Sequence, residues 1–279
     1  MRVIDLEHLG RERAIGAWEV DGVLVDPGPE ACLERLLTEL GEGFEPRAVL
    51  LTHIHLDHAG ATGALVERWP GIPVYVHERG ARHLVSPERL VASATRLYGE
   101  AHMHRMWGEI VPVPESALRV LEGGERVLGD YRVEYTPGHA SHHVSYLHEP
   151  SGRAFVGDVA GVIIPPEGYV LAPTPPPDID VDAWERSLDT VAAWAPESLA
   201  LTHFGGVDDV PGHLSAVRDA LHAQAALAAD LDLDGFIDAM HARARAWAPD
   251  RADTYAQTAP LDQQFAGLDR WHAKRAERG

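Results

Sequence analysis

The sequence has one cysteine, Cys32, among 279 residues, so an intrachain disulfide and a thiolate-based zinc cluster are both excluded. It also has one lysine, Lys274, leaving arginine to supply the other 23 of its 24 basic residues. With abundant alanine, glycine and proline, that bias reads as genome composition and not as function. Basic residues are outnumbered: 43 acidic against 24 basic side chains give a net charge of -19. Such a surface repels phosphate backbones and argues against a nucleic-acid partner. No apolar run approaches the roughly 18 residues of a membrane span. The opening Met1-Arg2-Val3-Ile4-Asp5-Leu6 lacks an apolar signal core. A cytoplasmic protein with no membrane attachment is the expectation.

What is present is an ordinary globular composition, 45% hydrophobic and 24% charged, in a chain long enough for a large α/β core. The segment Thr52-His53-Ile54-His55-Leu56-Asp57-His58-Ala59-Gly60 holds four metal-capable side chains within six residues. It follows the apolar run Ala48-Val49-Leu50-Leu51, which reads as a buried strand ending in a turn. Ligands leaving a strand end at that spacing can aim into one cavity. A polar loop with exposed histidines is the competing reading.

Other runs have the same character. Gly22-Val23-Leu24-Val25 ends at Asp26-Pro27-Gly28, and Pro29 opens a helix with Leu33, Leu36, Leu37 and Leu40 on one face. A helix is expected through Gly63–Trp69 and a strand at 74–76, so strands alternate with helices as in a layered α/β fold. Residues 78–110 interrupt this order as a helical insertion. Ser86-Pro87-Glu88 reads as a capped helix start, and Leu90, Ala94, Leu97 and Ala101 recur at helical spacing. Strands are expected at 118–121, 126–128, 131–135, 144–147, 154–156 and 198–201, with a helix from Asp182 to Trp194. The proline-rich connection 165–177 is long enough to suggest a pocket wall. From Pro211 the pattern is helical only, marked by Leu214, Val217 and Leu221, then Phe236, Met240 and Trp247, then Leu261, Phe265 and Leu268. The expectation is one domain over 1–210 and a helical appendage over 211–279, packed on that body or forming a homodimer contact.

Four strand ends carry a metal-capable residue: Leu51 before His53, Tyr135 before His139, Val156 before Asp158 and Leu201 before His203. Leu-Leu-Thr-His at 50–53 has a counterpart in Ala-Leu-Thr-His at 200–203. Sites in layered α/β folds gather beyond the carboxyl ends of strands. His53, His55, Asp57, His58, His139, Asp158 and His203 together are too many for one catalytic zinc, which usually takes three protein ligands and a water. Two metals sharing a carboxylate would use them.

The segment H-x-H-x-D-H, Thr-Pro-Gly-His at 136–139, Gly-Asp at 157–158 and the late strand-terminal histidine resemble the metallo-β-lactamase-fold hydrolases over roughly residues 15–205. Thr-His-Ile-His-Leu-Asp-His and Thr-Pro-Gly-His-Ala are most similar to the glyoxalase II-like branch. The resemblance implies an α/β fold, a four-layer αββα sandwich, here with the helical insertion and the helical appendage. It implies a first metal held by His53, His55 and His139, a second by Asp57, His58 and His203, and Asp158 bridging the two. Zinc is the expected metal, with iron or manganese compatible with the same donors. Asp26 matches a position supporting the ligands, and His143 is expected to support the site by hydrogen bonding. His142 stands where the family often writes glycine, and no basic cluster for a glutathione carboxylate is evident.

The resulting expectation is hydrolysis of a small-molecule ester, thioester or lactone by a hydroxide held between two metals about 3.5–4 Å apart. Asp57 would orient that nucleophile and take up its proton. Tyr98, Trp107 and Tyr169, on the insertion and in the loop 162–180, are candidate pocket residues as well as ordinary packing residues. The alternative on the same scaffold is a persulfide dioxygenase-type oxidoreductase with one iron on His53, His139 and Asp158. A flavodiiron-type reductase fits less well, because His55 stands where that branch carries a carboxylate. Nuclease chemistry is opposed by the acidic surface, and a non-catalytic metal-binding protein is the remaining reading.

Overall fold

The candidate ligands stand just beyond the ends of short strands. The computed structural model describes residues 1–166 and 168–277. Glu167, within the expected loop 162–180, and Arg278 and Gly279, at the end of the segment 211–279, lie outside the described residues. The chain divides into two units, residues 1–135 with 142–146 and residues 136–141 with 147–279.

In the first unit, β1 (Arg2–Asp5), β2 (Gly16–Val20) and β3 (Val23–Val25) form an antiparallel meander. The sheet continues in parallel through β4 (Ala48–Leu50), β5 (Val74–His77) and β6 (Leu118–Leu121). β4 is buried throughout, as expected of a parallel strand covered on both faces. β7 (Arg126–Val127) and β8 (Tyr131–Tyr135) make a hairpin, and β9 (Val144–His148) begins in this unit. Leu24, Leu36, Val49, Leu51, Leu65 and Val74 meet in its apolar core. Val25 pairs with Leu50, so the ends of β3 and β4 lie side by side and the Asp26 amide donates to the Leu50 carbonyl at 3.0 Å.

The helices of this unit are α1 (Leu33–Leu40), α2 (Leu56–Ala59), α3 (Thr62–Arg68), α4 (Glu78–Val85), α5 (Glu88–Tyr98) and α6 (Glu100–Trp107). The insertion is therefore three helices where the apolar spacing suggested a single one. Gly99, at φ 78°, separates α5 from α6 in a backbone region that suits glycine. Ser86 is no helix cap at the start of α5: its amide donates to the Arg82 carbonyl and closes α4, and Pro87 takes the cap position. The insertion has a definite task in packing. Ala94 and Trp107 form an apolar cluster with Leu56, the residue between His55 and Asp57.

In the second unit, the strands are β10 (Arg153–Phe155), β11 (Val162–Ile163), β12 (Val170–Leu171), β13 (Ser198–Leu201) and β14 (Gly205–Val207). β10 and β13 run parallel, with Phe155 opposite Ala200, so the chain leaves both strands at the same end toward Asp158 and His203. β14 pairs antiparallel with β13. β12, inside the proline-rich connection 165–177, pairs antiparallel with β11, which precedes that connection. The helices are α7 (Val181–Ala193), α8 (Val210–Asp230), α9 (Leu233–Trp247), α10 (Ala252–Thr258) and α11 (Leu261–Ala276). Asp180, Asp209 and Asp232 cap α7, α8 and α9 by accepting amides of their first turns. Phe236, Met240 and Ala244 form the buried face of α9. Trp247 does not join them, because the last residue of the helix turns outward and is 68% exposed. Among the described residues, no helix is long and apolar enough to cross a membrane.

Candidate metal centre

The first unit gathers His53, His55, Asp57 and His58 beyond the end of β4. His53 and His55 stand on extended chain, whereas Asp57 and His58 ride on the single helical turn of α2. The Nε2 of His53 faces the Nδ1 of His55 at 3.0 Å, and the His53 and His58 rings lie 3.9 Å apart between centroids. His53 and His58 are buried, while His55 and Asp57 are partly open to solvent.

Asp26 orders this group. Its Oδ1 accepts the Thr52 amide at 2.8 Å, and its Oδ2 accepts the Thr52 hydroxyl at 2.7 Å. Oδ2 also accepts the Nδ1–H of His58 at 2.9 Å. Since the Thr52 hydroxyl gives its proton to Asp26, it accepts from the Nδ1–H of His53, 3.1 Å away. With Nδ1 of each ring hydrogen-bonded, Nε2 is the atom that His53 and His58 would offer a metal. His143 stacks on His53 with centroids 5.1 Å apart, and the Nδ1 of His142 accepts the Ile54 amide at 3.4 Å.

Within the second unit, His139, Asp158 and His203 lie together. The two oxygens of Asp158 face different histidines: Oδ2 lies 3.2 Å from the Nε2 of His139, and Oδ1 lies 3.5 Å from the Nε2 of His203. All three residues are buried. The Nδ1–H of His139 donates to the Pro173 carbonyl at 2.8 Å, which makes Nε2, facing Asp158, its candidate ligand atom. His139 reaches this place because Gly138, at φ 139°, passes hard against Trp184; a Cβ there would lie 2.4 Å from the Trp184 Cα. The turn bearing Asp158 is held from α7, where the Trp184 indole N–H donates to the Val159 carbonyl at 2.7 Å.

These donor sets fit divalent metal ions. Neutral imidazoles with the far nitrogen hydrogen-bonded, beside a carboxylate directing its two oxygens to different partners, are the groups such ions take. The candidate pocket residues are placed in packing contacts. Trp107 is buried, stacks on His8 at 5.3 Å and takes the edge of Tyr98 at 5.0 Å. Tyr169 is buried against Tyr255 at 4.9 Å. Thr52, Pro173 and Trp184 are structural supports that the sequence reading passed over. Only Thr52 left a signal, the Thr-His pair repeated at 52–53 and 202–203.

Comparison with known proteins gives one family match, the metallo-beta-lactamase superfamily, over residues 20–203. The chain is similar to the metallo-beta-lactamase fold-containing protein ST1585 of Sulfurisphaera tokodaii, 31% identical over 56% of this chain and 60% of that one. It is also similar to the probable metallo-hydrolase YflN of Bacillus subtilis, 29% identical over 52% of this chain and 57% of the relative. A hydroxyacylglutathione hydrolase of Erwinia tasmaniensis is 29% identical over 49% of this chain and 41% of its own. The matched segment thus spans 60% or less of each of these three relatives. Among solved structures, that of ST1585 superposes with a TM-score of 0.61 at 27% identity, covering 76% of this chain and 80% of that one. TTHA1623 in a di-iron-bound form gives 0.55 at 30% identity, covering 72% and 91%. The fold class read from the sequence is the one these structures share.

Proposed function

Because this chain belongs to the metallo-β-lactamase superfamily, we propose that it is a dinuclear metal-dependent hydrolase acting on an ester-, thioester- or lactone-like carbonyl of a small molecule. The observation that carries this reading is Asp158, whose two oxygens address His139 and His203 separately. A carboxylate so disposed suits two cations better than one. Following the family motif, His53, His55 and His139 would hold one ion, and Asp57, His58 and His203 the other, with Asp158 common to both. Divalent ions so bound supply Lewis acidity toward the carbonyl oxygen and lower the pKa of water toward about 7.

Each chain residue then has a defined task. Asp26 and the Pro173 carbonyl keep the ligand nitrogens bare. Asp57, partly exposed with an oxygen 3.9 Å from the Nε2 of His58, orients the nucleophile and takes up its proton. Leu56, held by the insertion, keeps Asp57 and His55 from swinging away. Zinc is the proposed metal; iron and manganese suit the same nitrogen and oxygen donors, and the di-iron form of a structural relative keeps iron in view. The hydroxyacylglutathione hydrolase relatives support a thioester as substrate class. The proposed location is cytoplasmic, with which the single cysteine is compatible, and the proposed substrate is not nucleic acid, which the net charge of -19 disfavours. A homodimer through the helices after residue 210 completes the proposal.

The test is elemental analysis of purified protein beside a panel of thioesters, lactones, phosphoesters and β-lactams. Two metal equivalents and carbonyl hydrolysis are expected, with His203→Ala falling toward one equivalent and a sharply lower rate. Unchanged stoichiometry and rate in His203→Ala would remove it from the centre. One iron per chain with oxygen uptake on a persulfide would replace the hydrolase reading by the oxidoreductase one.

A further inference from the structure

The loop from Asp158 to Thr174 joins the candidate centre to the helices that follow it. Its first residue is the shared carboxylate. Near its far end, the Pro173 carbonyl accepts the proton of His139 at 2.8 Å. In between, the loop backbone is held by side chains from the helical segment. The His213 Nε2–H on α8 donates to the Ala160 carbonyl at 2.8 Å, two residues from Asp158. The Tyr255 hydroxyl on α10 accepts the Ile164 amide at 2.8 Å and donates to the Tyr169 carbonyl at 2.5 Å. The Gln224 amide on α8 closes on Ala172 from both sides, accepting its N–H at 3.0 Å and donating to its C=O at 2.8 Å.

These are not surface contacts. His213, Gln224 and Tyr255 are 6%, 2% and 1% exposed, and each meets backbone groups that would otherwise be buried without a partner. Burial pushes the His213 imidazole below its ordinary pKa, so the ring is neutral and its one proton is the one given to Ala160. Among its described residues, the loop's own regular structure is the 3-10 turn at Gly157–Ala160 and the two-residue strands β11 and β12, and Ile163 is tied by backbone bonds to His203 and Phe204. The loop's two ends set the position of Asp158 and the tautomer of His139.

We propose that His213, Gln224 and Tyr255 are positioning residues of the metal centre, so that the helices after residue 209 set its metal affinity. This rests on the two-metal reading above and goes beyond it. The segment that looks like an appendage in the sequence becomes the outer support of the shared carboxylate. Groups that orient ligands from outside typically govern metal affinity by tenfold or more, and the same size of effect is expected here.

The experiment titrates zinc against a chromophoric chelator for wild type, His213→Leu, His213→Gln and Tyr255→Phe, and records the visible spectrum of each cobalt-substituted form. His213→Leu and Tyr255→Phe should lose about tenfold in zinc affinity and shift the cobalt bands. His213→Gln, which keeps an N–H at the same reach, should recover most of the affinity. Phe236→Leu, a packing change in α9 without a bond to the loop, controls for loss of stability alone and should leave affinity unchanged. Should His213→Leu fail to fold, Tyr255→Phe and His213→Gln carry the comparison. Wild-type affinity and spectra in Tyr255→Phe and in every His213 variant that folds would overturn the inference while leaving two-metal binding intact. Wild-type protein that binds no divalent ion would instead sink the two-metal reading.

Discussion

The Nδ1 of His58 lies 2.9 Å from the Oδ2 of Asp26, with both side chains buried and the two residues 32 positions apart in the chain. Asp26 also takes two bonds from Thr52, so one carboxylate sets the ring orientation of His58 directly and that of His53 through the threonine. Asp26→Ala strands three donors in a dry interior. Losing one partner of a buried charged network costs about 3 kcal/mol or more, and metal affinity should fall with it. Urea denaturation of the metal-free protein and chelator competition would measure the two effects separately. Asp26→Ala with wild-type midpoint and affinity would show that Asp26 supports neither.

His213 gives stability a pH dependence of known sign. Burial, the leading cause, holds its folded pKa below 6.5, so below the ordinary value the unfolded chain binds the proton more readily. Its contribution is complete above about pH 6.5 and is lost as pH falls toward the folded pKa. The difference in unfolding free energy between wild type and His213→Gln should therefore shrink on going from pH 7.5 to pH 5. A constant difference across that range would contradict the assignment.

Cys32 should be nearly inert while the protein is folded. Burial first, and the Asp5 charge second, push its pKa up to about 11, and only the thiolate attacks disulfide reagents. At pH 8 the folded chain should react about a hundredfold more slowly than the chain in 8 M urea. Equal rates in a colorimetric thiol assay would mean that the α1 region opens freely.

Gly138→Ala tests how His139 is placed. The new methyl would meet the Trp184 backbone, with the nitrogen 2.6 Å and the Cα 2.4 Å away, at a φ of 139° that side chains rarely adopt. A destabilisation of about 3 kcal/mol is expected from overpacking and backbone strain together, with loss of metal from the site containing His139. Normal stability by thermal melt and full metal content would show that the turn can move aside.

Much of the candidate site was legible because its chemistry is written locally. His53, His55, Asp57 and His58 lie within one turn of chain, and each of β4, β10 and β13 is a short apolar run that announces its own end. Helices α1, α7 and α8 show their buried faces through apolar spacing. The insertion was less legible, since Leu90, Ala94, Leu97 and Ala101 keep helical spacing across the Gly99 break. Trp247 shows the converse: an apolar side chain at the right interval stays in solvent when the helix ends beneath it.

By itself, then, the sequence determined which donor groups stand at the strand ends, and through their combination the family. It could not determine which nitrogen of each imidazole holds the proton, nor what holds the loop 158–174. Those depend on the Asp26 carboxylate, the Pro173 carbonyl and the side chains of His213, Gln224 and Tyr255, which act across separations of 32 to 91 residues. A backbone carbonyl has no sequence signature, and a hydrogen bond between distant residues leaves none. Only the folded chain, by bringing these groups within 3 Å of their partners, decides them.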